Sequence, residues 1–328
     1  MSILICGGAG YIGSHMSSYL LEQGKDIIII DNLKNGHKNA LLGGKFYLGD
    51  LRNRIFLNKV FSENNIESVI NFAAYSLVSE SINNPLKYFN NNILSTITLL
   101  DVMKDYGVNN FIFSSTAATY GHCRNIPIKE IDATKPTNPY GESKLAVEKI
   151  LKWCDKAYGI KYSILRYFNA AGADINGNIG EDHRPESHLI PITLQVALGQ
   201  RERIMIFGDD YDTPDGTCIR DYIHVSDLAS AHFLALERLN KGENSNIYNL
   251  GNGKGFSVKE VINTVKYVTG TNIKSEIASR RQGDPPILVA SSEKAIKELS
   301  WNPKYNSLEM IIETAWRWHK NHPYGYKQ

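Results

Sequence analysis

Short apolar runs alternate with longer segments of helical periodicity through the first half of the chain. Apolar runs at 3–6, 27–30, 45–48, 68–72, 110–113 and 162–165 have the length and the aliphatic and aromatic content of strands. Between them, 12–23, 54–63, 85–106 and 141–158 carry apolar residues at helical spacing. Strands separated by helices of this length need right-handed crossovers, and the strands then form a parallel sheet covered on both faces. The predicted fold class is α/β, a doubly wound parallel Rossmann-type sheet. Beyond Gly172 the alternation breaks into loops rich in Gly, Asp and Pro at 173–185 and 208–216. Strand and helix resume at 220–225 and 226–239, and the tail offers helices at 257–269, 293–299 and 308–319, the first opened by a Ser257/Glu260 capping box. Two domains are expected: 1–172 with 220–250 as a cofactor domain, and 173–219 with 251–328 as a smaller α/β substrate domain.

The first strand runs into Gly7-Gly8-Ala9-Gly10-Tyr11-Ile12-Gly13 and then into a helix. Such a turn lets backbone N–H groups approach a pyrophosphate at the positive end of the helix. The spacing is G-x-x-G-x-x-G, which alone is a weak signal. Asp31, eighteen residues past Gly13 at the end of the next strand, strengthens it. A carboxylate there accepts hydrogen bonds from the adenosine ribose hydroxyls and repels a 2′-phosphate, so NAD is expected rather than NADP.

Composition narrows the function. With 36 basic against 34 acidic residues the net charge is +2, and no basic block appears, so nucleic acid is not an expected partner. No long apolar segment and no charged leader pattern is present, and Cys6, Cys123, Cys154 and Cys218 are widely spaced without a C-x-x-C pair. A cytoplasmic protein with free thiols is expected, and no membrane partner. The histidines show no H-x-x-x-H spacing beside an acid, and no catalytic metal is expected.

The candidate chemistry lies in Tyr140-Gly141-Glu142-Ser143-Lys144. A tyrosine and a lysine four apart share a helix face, so the ammonium is expected to lower the phenol's pKa, and a neighbouring NAD⁺ ring to lower it further. A phenolate near neutrality is a proton acceptor. Thr116 closes Phe113-Ser114-Ser115-Thr116, an apolar strand ending in hydroxyls, and supplies the third member.

These segments, with Phe72-Ala73-Ala74, Arg166-Tyr167-Phe168-Asn169, Arg220-Asp221-Tyr222-Ile223-His224, Tyr248-Asn249-Leu250-Gly251 and Arg281-Gln282-Gly283-Asp284, occur in the order found in extended short-chain dehydrogenase/reductases. The chain resembles that family nearly end to end and, within it, the UDP-glucose 4-epimerase family. The resemblance implies reversible epimerisation of UDP-glucose and UDP-galactose, as in galactose metabolism. The phenolate of Tyr140 takes the proton of the sugar 4-hydroxyl while C4 passes hydride to tightly held NAD, and the 4-keto sugar turns and is reduced on its other face. It assigns Thr116, Tyr140 and Lys144 to catalysis. Cofactor contacts implied are Gly7, Gly10, Tyr11, Ile12, Gly13, Asp31, Asn32, Asp50, Leu51, Phe72, Ala73, Asn91, Tyr140, Lys144 and Tyr167. The UDP-sugar falls to Thr116, Tyr140, Asn169, Leu189, Phe207, Arg220, Arg281 and Asp284, the two guanidinium groups suiting a diphosphate. Asn91 and Asn169 can equally be read as residues satisfying loop and strand-end backbone.

Three positions depart from the family pattern: Thr116 for a frequent serine, Ser76 for a lysine near the nicotinamide, and His188 for one of an asparagine pair. Leu288 stands where a large aromatic excludes an N-acetyl group from the sugar pocket, so UDP-N-acetylglucosamine and UDP-N-acetylgalactosamine are possible further substrates. Leu288 can equally be read as core at the head of Leu288-Val289-Ala290. A nucleotide-sugar 4,6-dehydratase is a rival, but Ala117 and Ala118 stand where its acid pair follows the threonine. A non-catalytic NAD sensor has no need of the Tyr–Lys–hydroxyl set. The family pairs subunits through the helices at 85–106 and 141–158, which implies a homodimer, although the apolar residues of those helices also suit packing on the sheet.

Overall fold

The computed structural model describes residues 1–123, 125–281 and 284–327. The first half contains β1 (Ser2–Cys6), α1 (Tyr11–Glu22), β2 (Ile27–Asp31), β3 (Lys45–Leu48), α2 (Arg54–Ser62), β4 (Ile66–Asn71), α3 (Val78–Asn83), α4 (Pro85–Tyr88), α5 (Ser95–Asp105), β5 (Asn110–Thr116), α6 (Pro139–Tyr158) and β6 (Lys161–Tyr167). The second half adds β7 (Asn169–Ala171), α7 (Leu189–Ala197), β8 (Ile204–Phe207), β9 (Ile219–Arg220), β10 (Tyr222–His224), α8 (Val225–Asn240) and β11 (Asn246–Leu250). It ends with β12 (Phe256–Ser257), α9 (Val258–Thr269), β13 (Ser275–Ala278), β14 (Ile287–Leu288), α10 (Glu293–Leu299) and α11 (Leu308–Asn321).

Seven of these strands form the central sheet in the order β11-β6-β5-β4-β1-β2-β3, and every pairing is parallel. Alternation along the strands feeds two cores. Ile3, Ile5, Ile27, Ile29, Ile70 and Ile112 pack with α1 and α8 on one face. Leu4, Cys6, Ile28, Ile30, Val69 and Phe111 pack with α2, α5 and α6 on the other. Burial on both faces explains why these strands read as unbroken apolar runs. A third cluster joins α7, β8, α9 and α11 through Leu194, Ile206, Val261, Val265, Ile311 and Ile312.

Several boundaries differ from the sequence expectation. β5 continues through Ser114, Ser115 and Thr116 because it stays in register with β6 as far as Thr116↔Tyr167. The predicted 85–106 helix is interrupted by a π-helical turn, Phe89–Leu94, between α4 and α5. The predicted 220–225 strand is two short strands, β9 and β10, parted at Asp221. The buried Asp221 carboxylate accepts backbone N–H bonds from Asn252, Gly253 and Ala290 and thereby holds neighbouring loops together. α3, α7, β7, β8, β11, β12 and β13 have no counterpart in the predicted pattern. Ser257 and Glu260 form the expected capping box at α9.

A buried polar assembly locks α6 against the sheet. Glu148 of α6 accepts hydrogen bonds from Arg166 of β6 through both carboxylate oxygens and from Ser115 of β5 at 2.6 Å. Arg166 also reaches the Tyr120 hydroxyl at 2.9 Å, and Tyr120 donates to Asn249 of β11 at 2.7 Å. Glu148 is 1% exposed and Arg166 3%, so each charge depends on its partner. Glu148→Ala strands the guanidinium and should lower unfolding free energy by about 3–5 kcal/mol, measured by urea denaturation; a loss below about 1 kcal/mol would mean that the pair does not anchor α6.

Candidate active site

Gly7 follows β1 with φ of +75°, a conformation that favours glycine, and a Cβ there would lie 2.6 Å from the Ala73 backbone nitrogen. A Cβ on Gly13 would lie 2.1 Å from the Gly7 carbonyl oxygen. The loop is therefore packed against α1 on one side and against Phe72-Ala73, just past β4, on the other. Gly10 caps α1 without a side chain, so the N-cap residue takes none of the N–H groups of the first helical turn. Those N–H groups and the close-packed glycines fit an anionic pyrophosphate. Asp31, at the end of β2, is buried; its carboxylate accepts from Ala9 N at 3.0 Å and from Leu33 N at 2.8 Å. Burial pushes the Asp31 carboxyl up, and these backbone N–H bonds oppose the shift.

Further along the strand ends, Asn32 donates to Asp50 at 3.4 Å. Arg52 grips Asp50 through Nε at 2.9 Å and Nη2 at 2.8 Å and holds its carboxyl down at about 2. Leu51 is buried beside it. In the π-helical turn Asn91 is partly buried and donates to its neighbour Asn92. Asn92, absent from the sequence reading, is the buried member: it bonds both the backbone N–H and carbonyl of Tyr75 and donates to Ser143 at 3.0 Å. That links the loop after β4 to α6 one residue before Lys144. The adjacent asparagines Asn90, Asn91 and Asn92 give no sequence signal for which of them faces inward.

β5 distributes its terminal hydroxyls by strand alternation. Ser114 bonds the Tyr167 hydroxyl, Ser115 bonds Glu148, and the Thr116 hydroxyl lies beside the Tyr140 phenol. Lys144 reaches the same strand, donating to the Ser114 carbonyl at 2.8 Å, with its ammonium 4.9 Å from the Phe113 ring centroid. The structure therefore brings Thr116, Tyr140, Lys144 and Tyr167 together. It corrects the expected electrostatics. Lost hydration pushes the Tyr140 phenol up to about 12, opposed only by Thr116, and burial brings the Lys144 ammonium down to about 7, opposed by Glu148. The ammonium donates to a strand carbonyl, and burial of the phenol outweighs its attraction for a phenolate, so four-residue spacing on α6 does not by itself produce one.

A second group gathers at the small sheet β12-β9-β14. Arg220 of β9 lies 3.3 Å from Asp284, and the Arg281 guanidinium stacks 4.0 Å over the Phe207 ring at the end of β8. Leu288 is in register with Arg220 in parallel strands, so its side chain stands on the same face. It is partly exposed, unlike the buried Val289 and Ala290, which sets aside the core reading. Gln282 and Gly283 of the same motif lie outside the described residues. Asn169 heads β7, its N–H bonded to Asp221 O, and Leu189 opens α7. Ser76 is exposed in the loop after β4. His188 precedes Leu189 and turns back to Glu186 and Glu181, at 2.9 Å from each.

A parallel sheet of this order with a glycine turn after β1, and with a β5 hydroxyl beside a tyrosine and a lysine of α6, defines a dinucleotide-dependent enzyme equipped for proton transfer. Residues 3–251 match the NAD dependent epimerase/dehydratase family, and the chain belongs to it. It is 61% identical to the UDP-glucose 4-epimerase of Halalkalibacterium halodurans over 99% of this chain and 98% of that one. The UDP-glucose 4-epimerase of Bifidobacterium longum, solved with NAD⁺ and UDP, is 40% identical with a TM-score of 0.95 over 99% of this chain and 100% of that one. The UDP-Glc/GlcNAc 4-epimerase of Campylobacter jejuni is 45% identical with a TM-score of 0.85 over 98% and 99% of the two chains.

Because burial raises the phenol, protein stripped of NAD should keep Tyr140 protonated throughout the neutral range. A tyrosinate absorbance titration of wild type minus Tyr140→Phe should show no step below about pH 10, the ordinary tyrosine value. A step near pH 7 in the stripped protein would show instead that the protein alone generates the phenolate.

Proposed function

We propose that this chain interconverts UDP-glucose and UDP-galactose by inverting C4 of the hexose. NAD, when bound, supplies the acceptor and donor of hydride at C4 and a cationic ring that favours the phenolate. Tyr140 takes the proton of the sugar 4-hydroxyl and returns it once the 4-keto sugar has turned. Thr116 holds the same oxygen, and Lys144, fixed on the Ser114 carbonyl, orients the cofactor ribose. The convergence of Thr116, Tyr140 and Lys144 at the end of β5, on the same edge of the parallel sheet as the glycine turn after β1 with only β4 between the two strands, is the observation that carries this reading.

Gly7, Gly10, Tyr11, Ile12, Gly13, Asp31, Asn32, Asp50, Leu51, Phe72, Ala73, Asn91 and Tyr167 complete the cofactor site in this reading. Arg220 and Arg281 grip the diphosphate, with Asn169, Leu189, Phe207 and Asp284 around the nucleotide sugar. The Arg220–Asp284 contact must then open or share its guanidinium when the diphosphate enters. Residues 1–172 with 220–250 serve the cofactor, and 173–219 with 251–328 serve the sugar nucleotide. The four free cysteines support a cytoplasmic setting; no described helix is long and apolar enough to cross a membrane.

A homodimer fits the outer face of α4 and α5. Leu86, Phe89, Ile93, Leu94 and Ile97 line a groove there, and Leu86 is 76% exposed. Trp153, on α6, is 67% exposed. Apolar residues exposed in such a row suit an isologous contact with a second copy. Light scattering should give twice the chain mass at micromolar concentration, and Ile97→Glu should return it to monomer; a wild-type monomer refutes the contact.

Activity is tested by incubation with UDP-galactose and assay of UDP-glucose. Wild type should reach the equilibrium mixture, whereas Tyr140→Phe should lose at least about 100-fold in kcat while still binding UDP, as expected on losing a general acid–base group. Activity within a few-fold of wild type in the variant refutes the role of Tyr140. We further propose that Leu288 leaves room for an N-acetyl group. Leu288→Tyr should depress kcat/KM for UDP-N-acetylglucosamine at least about 10-fold more than for UDP-glucose; equal effects show that Leu288 does not line the sugar pocket.

A further inference from the structure

The loop between β7 and α7 carries Glu181, His183, Glu186 and His188 within eight residues, and folds so that one donor atom from each lies within 4.8 Å of all the others. We propose that these four side chains bind a divalent transition metal, Zn²⁺, as a structural site. Four carboxylate–imidazole separations surround the common centre. His188 Nδ1 lies 2.9 Å from Glu181 Oε1 and 2.9 Å from Glu186 Oε1, while His183 Nδ1 lies 3.0 Å from Glu181 Oε1 and 3.6 Å from Glu186 Oε2. Tetrahedral Zn²⁺ with bonds of about 2.0–2.1 Å to imidazole nitrogen and carboxylate oxygen has ligand–ligand edges of about 3.3–3.4 Å. The four carboxylate–imidazole separations bracket that edge, and all four donors lie within 4.8 Å of one another, so the set can close around one ion.

A second observation separates this cluster from an ordinary set of ion pairs. His183 Nδ1 is shielded from solvent and makes no hydrogen bond, although a carboxylate oxygen is 3.0 Å away. A shielded ring nitrogen beside two carboxylates, with no aligned hydrogen bond of its own, is open to a cation held among them. Both carboxylates are almost wholly buried, with side-chain exposures of 6% and 4%. Buried carboxylates placed side by side require compensating positive charge, and a divalent ion supplies it at a single point. Two imidazoles with two carboxylates form a donor set suited to Zn²⁺ among the common divalent ions.

The site has a structural place. Trp318 Nε1 of α11 donates to the Glu181 carbonyl at 3.3 Å, the His183 ring meets the Tyr11 ring edge-on at 6.2 Å, and His188 caps α7. A metal here clamps the loop that joins the first turn of α1 to α7 and α11. None of the four ligands belongs to the Tyr140–Lys144–Thr116 group, so the ion takes no part in proton transfer.

The test uses NAD-loaded protein dialysed against chelator and then against Zn²⁺, with metal measured by elemental analysis. Wild type should retain about one Zn²⁺ per chain, and Glu186→Gln and His188→Asn should each retain less than about a tenth. Zn²⁺ should raise Tm in wild type and not in the variants. If a variant fails to fold, Co²⁺ substitution of wild type decides the matter. Intense visible bands of four-coordinate Co²⁺ without thiolate charge transfer support the site, whereas a weak octahedral spectrum or thiolate bands overturn it. Failure of wild type to retain Zn²⁺, or full retention by both variants, also overturns it.

Discussion

The Arg166–Glu148 pair is the constraint on which the site depends. It joins β6 to α6 in the interior, draws in Ser115 of β5, and extends through Tyr120 to Asn249 of β11. Glu148 lies one helical turn past Lys144, and Lys144 one turn past Tyr140, so fixing Glu148 fixes the rotation and height of the whole helix face. Alternation along β5 then does the rest. Ser115 points to the Glu148 side of the sheet, Ser114 points to the other toward Tyr167, and Thr116, the last residue of the strand, meets the Tyr140 phenol at the strand end. An ion pair this deep is a weak source of net stability but a strong selector of geometry, because no alternative packing satisfies both charges.

Burial gives the site its electrical character. The phenol is pushed up and the ammonium brought down, so in the protein alone the phenol stays protonated and burial works against the lysine's charge. A low-dielectric pocket of this kind has little charge of its own to stabilise a phenolate, and a cation bound beside Tyr140 acts there with little screening. Acid–base readiness is thereby linked to cofactor occupancy.

Much of the architecture was legible because a parallel sheet buried on both faces writes itself as apolar runs of strand length separated by helical ones. The glycine turn, Asp31 and the Tyr140–Lys144 helix face were readable for the same local reasons. What sequence could not give was the direction of long side chains. Lys144 leans to Ser114, and of three consecutive asparagines only Asn92 turns into the interior. β5 was cut short because its last three residues are hydroxyls, whose burial is satisfied only by partners distant in sequence. α7 gives a weak sequence signal because Leu189–Ala197 is mostly apolar, with Thr193 and Gln195 its polar side chains, and follows a loop rich in charged residues. The Glu181–His188 set lay beyond a search for helical H-x-x-x-H spacing, since a loop brings its donors together by folding back rather than by period.

The nucleotide-sugar side is held by a second buried acid. Asp221 splits what would be one strand into β9 and β10, and its carboxylate takes three backbone N–H groups from the loop after β11 and from the residues after β14. β14 is therefore held beside β9, which sets Leu288 next to Arg220. Asn169 is tied to the same point through the Asp221 carbonyl. Burial pushes the Asp221 carboxyl up, and the three N–H bonds favour its ionised form, so the knot is self-consistent only when all three donors are in place. One carboxylate thus fixes the positions of Arg220 and Leu288 relative to each other and to the start of β10. A substitution at Leu288 changes the volume beside Arg220 while leaving that knot untouched, because Ala290, two residues on, provides the N–H bond. Pocket size is free to vary on a backbone that does not.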